Sequence, residues 1–281
     1  MNEFETVTKH ALNAGHIILK TKKKYGMNYP AAKKCELYCY EELKNIALKT
    51  NLPVVSKFDR PDFECRKYWN RFWIIAPLLG KKNLREGKDD YLFTVTKIEN
   101  QRPVLGVIVA PEKSEMYIAK DARSYKIKGI DFDPNLNVAS LLKKQNMIKK
   151  PIGGLFFTIL KNRQPMNYKT EKFLKDFKDY KKGAIKEIVD DSPMNFCGIA
   201  EGKYDYYPHF STVMEWDIAA FDALITASGY MITKKDGILP LSYNTKDLKF
   251  PAFIAKNNFE NDNVDLEKKE DREFINEGTR Y

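Results

Sequence analysis

Cys35 and Cys39 stand four residues apart, a spacing that puts two thiols on one helix face and could begin a metal site. The three histidines, His10, His16 and His209, have no spacing that would complete it. Four cysteines in 281 residues do not make a disulfide framework, so reduced, mostly buried thiols and a cytoplasmic setting are expected. Carboxylates are the other candidates, because a hard divalent ion selects them. Asp59, Asp62 and Glu64 form one short acidic stretch, of the kind that usually makes a solvated turn. Asp205 and Asp222 flank Asp217 without the spacing to form a metal pair with it. Glu201 and Glu215 read as surface or capping residues. No Gly-rich phosphate loop, zinc spacing or RNA-binding aromatic motif occurs in the chain.

Charge and composition narrow the class. The chain carries a formal +10, and its last 26 residues, from Lys256, carry −3, which leaves +13 on the body. A basic body favours anionic partners or simply a solvated lysine-rich surface. Aromatic residues make up 13% and the wider apolar set 43%, too much for a disordered chain. The longest apolar run, Phe72 to Leu79, is far short of the ~20 residues that span a membrane, so no membrane partner is expected. The opening MNEFETVTKH has two early acids and no apolar block, so no secretory signal is expected.

Hydrophobic spacing then supplies the elements that must hold these groups. Phe4, Val7, Ala11, Ala14 and Ile18 predict a first helix, and Leu37, Tyr40, Leu43 and Ile46 a second. Phe72–Ile75, Tyr91–Ile98, Pro103–Ala110, Met116–Ala119 and Tyr125–Ile127 read as consecutive strands of an antiparallel meander. Beyond them, strands at Leu155–Leu160 and Ala184–Val189 alternate with a helix at Lys169–Tyr180. A helical Met194–Ala200, an extended Tyr204–Tyr207 and a helix over Glu215–Ser228 follow. A last hairpin should turn at Asp236-Gly237. The fold class is α+β, divided as 1–130, an N-terminal half with the antiparallel sheet, 131–255, a C-terminal α/β half, and 256–281, a charged extension with a short helix over Val264–Phe274. Trp69, Phe72 and Trp73 read as core or helix-packing aromatics, and Trp216 as the anchor of its helix.

Three blocks stand out, PVVSKFDRPDFECRKYWNRFWIIAPLLGKK, RPVLGVIVAPEKSEMYIA and FCGIAEGKYDYYPHFSTVMEWDIAAFDALITASGY. Together they resemble the inositol monophosphatase superfamily, most nearly its 3'(2'),5'-bisphosphate nucleotidases. The resemblance implies a five-layered αβαβα sandwich and Mg²⁺-dependent phosphomonoester hydrolysis, in which metal ions activate water and clamp the phosphate.

The residues that carry that chemistry are altered one by one. Where the family has Asp-Pro-x-Asp-Gly-Thr, this chain reads Ala76-Pro77-Leu78-Leu79-Gly80-Lys81. A Glu-Glu pair becomes Lys57-Phe58, and Thr-x-x-Asp becomes Pro30-Ala31-Ala32-Lys33. Only the Trp-Asp aspartate stays, as Asp217, a vestige of the metal set. A Lys⁺ about 4 Å from a divalent ion is disfavoured by roughly 8 kcal/mol at an effective dielectric of ~20. On the substrate side, Gly-Ser-Ser-x-Lys resembles Asp191–Asn195, Tyr-Pro-Arg becomes Tyr207-Pro208-His209, and the glycine after Trp-Asp-x-Ala-Ala becomes Phe221, which should fill open space. A basic residue persists at Arg163.

These losses imply a member without catalysis and without a cofactor, its Mg²⁺ lost, kept for binding a phosphate-bearing small molecule or a protein. Lys33, Lys57 and Lys81 would converge on the old metal cavity. There they and Arg163 would hold an anion, or the lysines would face solvent or neutralise Asp217. Two alternatives stand beside this reading. One is a phosphatase active on adenosine 3',5'-bisphosphate or a related small phosphate, using Asp59, Asp62 and Glu64. The other is a basic interaction subunit that contacts nucleic acid or a partner protein.

Overall fold

The computed structural model describes residues 2–26, 29–148, 156–162, 168–180, 184–235 and 237–256. The expected Val264–Phe274 helix, Leu155 of the expected strand and Asp236 of the expected turn lie outside them. Asn2 starts α1 (Glu3–Tyr25) with a reciprocal cap: its side chain accepts from the Glu5 N–H at 2.9 Å, and Glu5 accepts from the Asn2 N–H at 3.1 Å. The helix runs past Ile18, the last residue of its apolar stripe, and stops at Gly26, whose φ of 62° suits glycine. Then come α2 (Tyr29–Thr50), β1 (Val54–Ser56), α3 (Phe63–Arg66), β2 (Arg71–Leu79) and α4 (Lys81–Arg85). The meander continues through β3 (Leu92–Glu99), β4 (Arg102–Ala110), β5 (Glu115–Lys120) and β6 (Arg123–Lys128). α5 (Val138–Leu142) and β7 (Asn146–Met147) complete this part.

Strands β1 to β7 form one sheet in chain order, antiparallel throughout except for the parallel β1–β2 pair. Chain order follows from short connections, which make neighbours in sequence neighbours in the sheet.

The rest of the chain comprises β8 (Phe157–Lys161), α6 (Tyr168–Tyr180), β9 (Ile185–Val189), α7 (Asn195–Ala200), β10 (Tyr206–His209), β11 (Val213–Met214) and α8 (Glu215–Ala227). β12 (Met231–Thr233), β13 (Lys249–Phe250) and β14 (Phe253–Lys256) follow. The second sheet has the order β12-β14-β10-β8-β9, mixed in direction, and β11 pairs with β13 alone. The final hairpin needs a correction. The chain does reverse around Gly237, at φ 72°, with a single bridge from Thr233 to Pro240. However, the ladder partner of β12 is β14, because both must join the larger sheet to bury Ile232 and Ile254.

Three apolar clusters define five layers. Helices α1 and α2 cover one face of the first sheet through Leu12, Ile18, Leu43, Trp73 and Phe93. α7 and α8 lie between the two sheets in a cluster holding Phe72, Ile108, Phe221, Leu224 and Phe253. α6 closes the far face of the second sheet with Leu174 and Phe177 against Ile159 and Ile254. This is the αβαβα sandwich implied by the resemblance, and its middle cluster draws on residues from both halves of the chain. Among the described residues no helix is long and apolar enough to cross a membrane.

One close approach sets the middle spacing. Gly106 of β4 faces α8, and a Cβ there would stand 2.9 Å from Ala223 Cβ and 3.1 Å from the Ala220 carbonyl. Gly106→Ala should therefore cost about 1–3 kcal/mol by overpacking, read as a lower urea midpoint with unchanged slope. Stability within a few tenths of wild type would mean α8 is free to shift.

Candidate functional site

The site is built where β2 ends. Pro77 interrupts the hydrogen-bond ladder, and the register with β3 shifts between Ala76 and Leu79. Gly80 then turns at φ 77°, where a Cβ would meet the Asp90 carbonyl at 2.5 Å, so only glycine fits. Gly80 opens α4, whose first residue is Lys81. Ala76 is buried in the core and Leu79 sits at the cleft edge, apolar where the resemblance has aspartates.

Lys81 reaches across to α2 and contacts both oxygens of Glu36, Nζ to Oε1 at 3.1 Å and to Oε2 at 3.3 Å. Lys57 meets the same carboxylate at Oε2 from the turn after β1. That turn is closed by paired Ser56 and Asp59 backbone bonds and by the Phe58 N–H on Ser56 Oγ at 3.0 Å. The Glu36 side chain is 3% exposed, against 26% for Lys57 and 43% for Lys81. Burial first, and then the adjacent Lys81 ammonium, lower the Lys57 pKa against the opposing pull of Glu36. Phe58, partly exposed, packs on Tyr40 at 5.1 Å and lies under the Lys57 ammonium at 4.6 Å.

Asp217 lies in the first turn of α8 and accepts the Met214 N–H at 3.3 Å. Burial raises its pKa, while that hydrogen bond and the charges of Lys81 and Lys57 pull it back down. The four groups Lys57, Lys81, Glu36 and Asp217 sum to zero charge when all are ionised.

Of the predicted convergent lysines, two arrive and one does not. Lys33 is exposed and is not among the groups on Glu36. At 100° per residue it falls past the edge of the α2 face that buries Ala32, Cys35, Glu36 and Cys39. Arg163 lies outside the described residues. Glu36 itself was not singled out in the sequence, although its signal was present. It stands in the helical stripe with Ala32, Cys39, Tyr40 and Leu43, and an acid there needs a partner.

Beside the cluster opens a cavity of about 280 Å³, lined by Gly80, Asp190, Asp191, Ser192, Asn195 and Asp217 on its polar side. Phe196, Tyr207 and Phe221 form the apolar side, with Phe196 and Phe221 stacked at 4.7 Å. Phe221 is 1% exposed. His209 stacks on Phe253 at 4.9 Å, with Nδ1 3.2 Å from the Tyr207 hydroxyl oxygen and 3.4 Å from Asn162 Nδ2.

Other carboxylates singled out in the sequence are engaged elsewhere. Glu215 is fully buried, contrary to its reading as a surface or capping residue, because it fastens the loop before β13. It accepts the Asn244 and Thr245 N–H groups at 3.0 and 2.7 Å, and buried Arg66 reaches the same loop. Asp222, also fully buried, accepts from Tyr243 at 3.0 Å and from Thr226 at 3.1 Å, and burial lifts its pKa to about 6. Glu201, half-buried, is the C-cap of α7, as one of its two sequence readings had it, and accepts from Lys126 at 2.7 Å and from Tyr117 at 3.0 Å. Asp59 is taken by Tyr40 and Lys44, and Glu64 by Lys67.

These residues do not fit the metal that the resemblance implies. Among the described residues no group of three His, Cys, Asp or Glu side chains is gathered to hold an ion. The buried Glu36 already faces two ammonium groups, and each ammonium opposes a divalent charge nearby. No step through Mg²⁺ follows from this geometry.

A five-layered αβαβα sandwich with its cleft at the start of the Trp-Asp helix defines the class, and the chain belongs to the inositol monophosphatase family, whose model matches residues 27–271. Among curated relatives, the 3'(2'),5'-bisphosphate nucleotidase CysQ of Escherichia coli K12 is 26% identical over 201 residues, 71% of this chain and 73% of that protein. The protein of the same name from Haemophilus influenzae is 29% identical, over 75% of this chain and 74% of its own. Among solved structures, CysQ from Bacteroides thetaiotaomicron aligns with a TM-score of 0.80 and 27% identity, covering 89% of this chain and 95% of that one. Inositol monophosphatase II of Staphylococcus aureus shares the fold at a TM-score of 0.75 and 13% identity, covering 100% of this chain and 99% of its own.

Burial pushes the His209 pKa down to about 4. Protonation then favours the unfolded chain, so this group withdraws stability as pH falls below the ordinary value near 6.5, by roughly 2 kcal/mol at pH 5. The imidazole should stay neutral at pH 5 by NMR and titrate near pH 4. An ordinary titration near 6.5 would show that the ring is solvated.

Proposed function

We propose that this chain has lost phosphomonoester hydrolysis and serves as a binding scaffold whose cleft recognises a small molecule without a metal ion. The observation that carries this reading is the commitment of Lys57 and Lys81 to buried Glu36, with Asp217 beside them. Hydrolysis in the implied manner needs an ion that neutralises developing charge and supplies a nucleophilic water. Two ammonium groups can neutralise charge, but an ammonium already bonded to a carboxylate activates no water.

The kept cleft supports a retained ligand. Phe196, backed by the buried Phe221, offers an apolar contact to a ligand, and Ser192, Asn162 and Asn195 offer polar ones. The relatives named as bisphosphate nucleotidases make an adenine nucleotide or nucleoside the first compound to try. A cytoplasmic setting is part of the proposal, supported by four free thiols, with Cys35, Cys39 and Cys197 buried and Cys65 exposed.

Phosphate release from adenosine 3',5'-bisphosphate and from an inositol monophosphate in millimolar Mg²⁺ should not exceed that of an Asp217→Asn control. Turnover that requires both Mg²⁺ and Asp217 would overturn the proposal and mean that carboxylates from elsewhere rebuild the site.

A further inference from the structure

We propose that the groove between α1 and α2 is a second ligand site, and that it takes a free mononucleotide whose base carries an amino group. The site is separate from the cleft and stands whether or not the cleft binds a ligand.

The groove encloses about 450 Å³, more than the cleft and within the ~300–1,000 Å³ of small-molecule sites. Its lining comes from α1 and α2 alone. Tyr38, Glu41 and Asn45 stand about 140–200° round α2 from Glu36, at roughly 100° per residue. The helix itself therefore separates this groove from the cleft.

Three kinds of group follow one another along it. Near the bend, Lys20 and Lys24 share one face of α1, four residues apart. Neighbouring Lys22 is bound to Asp89 and Glu112, whereas among the described residues neither Lys20 nor Lys24 pairs with a carboxylate. Tyr25 and Tyr38 also line the groove, and they are 53% and 45% exposed, so their rings are open to a ligand. Lys24 Nζ lies 4.9 Å from the Tyr25 ring and Lys34 Nζ 5.8 Å from that of Tyr38, which extends the positive charge along this half. Acceptors hold the far end. His10 Nδ1 stands 2.8 Å from Glu42 Oε1, and Asn13 Nδ2 donates to the same oxygen at 2.7 Å. That fixes Glu42 and leaves its Oε2, with Glu41 and Asn45 beside it, to accept from a ligand.

The register of the two helices sets the length of the site. Cys39 Sγ donates to the Ala14 carbonyl at 3.7 Å, so these residues stand level. Lys20 is six residues from Ala14 toward the bend, and Glu41 is two residues from Cys39 away from it. At ~1.5 Å per residue the two ends are about 12 Å apart along the helix axis. A nucleotide spans that distance from its phosphate to the far edge of its base. Its phosphate meets the two ammonium groups, its base lies on Tyr38, and its exocyclic amine donates to Glu41 or Glu42. A nucleic-acid strand fits less well, because the carboxylates repel a second phosphate at the far end.

Amide NMR titration of the full chain, read at Thr21, Tyr38 and Asn45, tests this. Adenosine 5'-monophosphate should bind roughly tenfold more tightly there than adenosine or inosine 5'-monophosphate, each of which lacks one charge-assisted contact. Lys20→Gln/Lys24→Gln should remove the advantage over adenosine, and Glu41→Gln the advantage over the inosine nucleotide. All three side chains are exposed, so these variants keep the fold. A short oligoadenylate should bind the groove no more tightly than the mononucleotide, and tighter binding would overturn the free nucleotide as occupant. Shifts confined to Asn195 and Phe196 overturn the groove site and leave the cleft reading standing. Groove shifts that survive the double lysine variant unchanged overturn the phosphate contact on which the assignment rests.

Discussion

Helix α8 is apolar nearly all round, and a helix of that kind has to be covered on every side. Ten of its thirteen residues are buried, from Glu215 to Ile225. One sheet cannot enclose it, so the chain supplies two, and the five layers follow from that requirement. Gly106 lets the first sheet approach closely, while Phe196 and Phe253 close the other side. The two buried carboxylates of the helix, Glu215 and Asp222, are each fully hydrogen-bonded, as burial demands. They fasten the Tyr243–Thr245 loop to the helix and so fix how its first turn is presented.

That first turn carries Asp217 to the point where the end of β2 and the turn after β1 also arrive. The backbone devices of the site are intact: Pro77 breaks the ladder, Gly80 makes the left-handed turn, and Trp216 is buried beneath Arg60, whose guanidinium lies 4.7 Å from the ring centroid. What differs is the charge placed on that frame. Ammonium groups stand where a metal site would need acids, and they are satisfied by one carboxylate from α2 and the field of another from α8. Backbone turns and core packing do not depend on the sign of the charges they position, so the family fold accommodates lysines here.

Much of this was legible in the residues. The 3.6-residue spacing of α1 and α2 and the short alternating runs of β2 to β6 declare themselves, since each element buries one face of its own local pattern. The apolar residues at Ala76 and Leu79 could be read from the motif alone. The partner of the lysines did not come from the motif at all. Lys33 occupies the motif position, yet the helix turns it outward, and Glu36, one turn on, takes the buried place.

The sequence by itself determined the main helices and strands, their order, the family pattern and the apolar residues at Ala76 and Leu79. These are local properties, written in spacing and residue type. Tertiary structure alone decided that Lys57 and Lys81, 21 and 45 residues from Glu36, share its carboxylate, that Lys33 does not, and that β12 pairs with β14. Ion pairs and strand ladders of this kind depend on where distant segments meet, and no local periodicity encodes that meeting. It is set by the burial of α8 between two sheets, which brings the ends of β1 and β2 to the start of that helix.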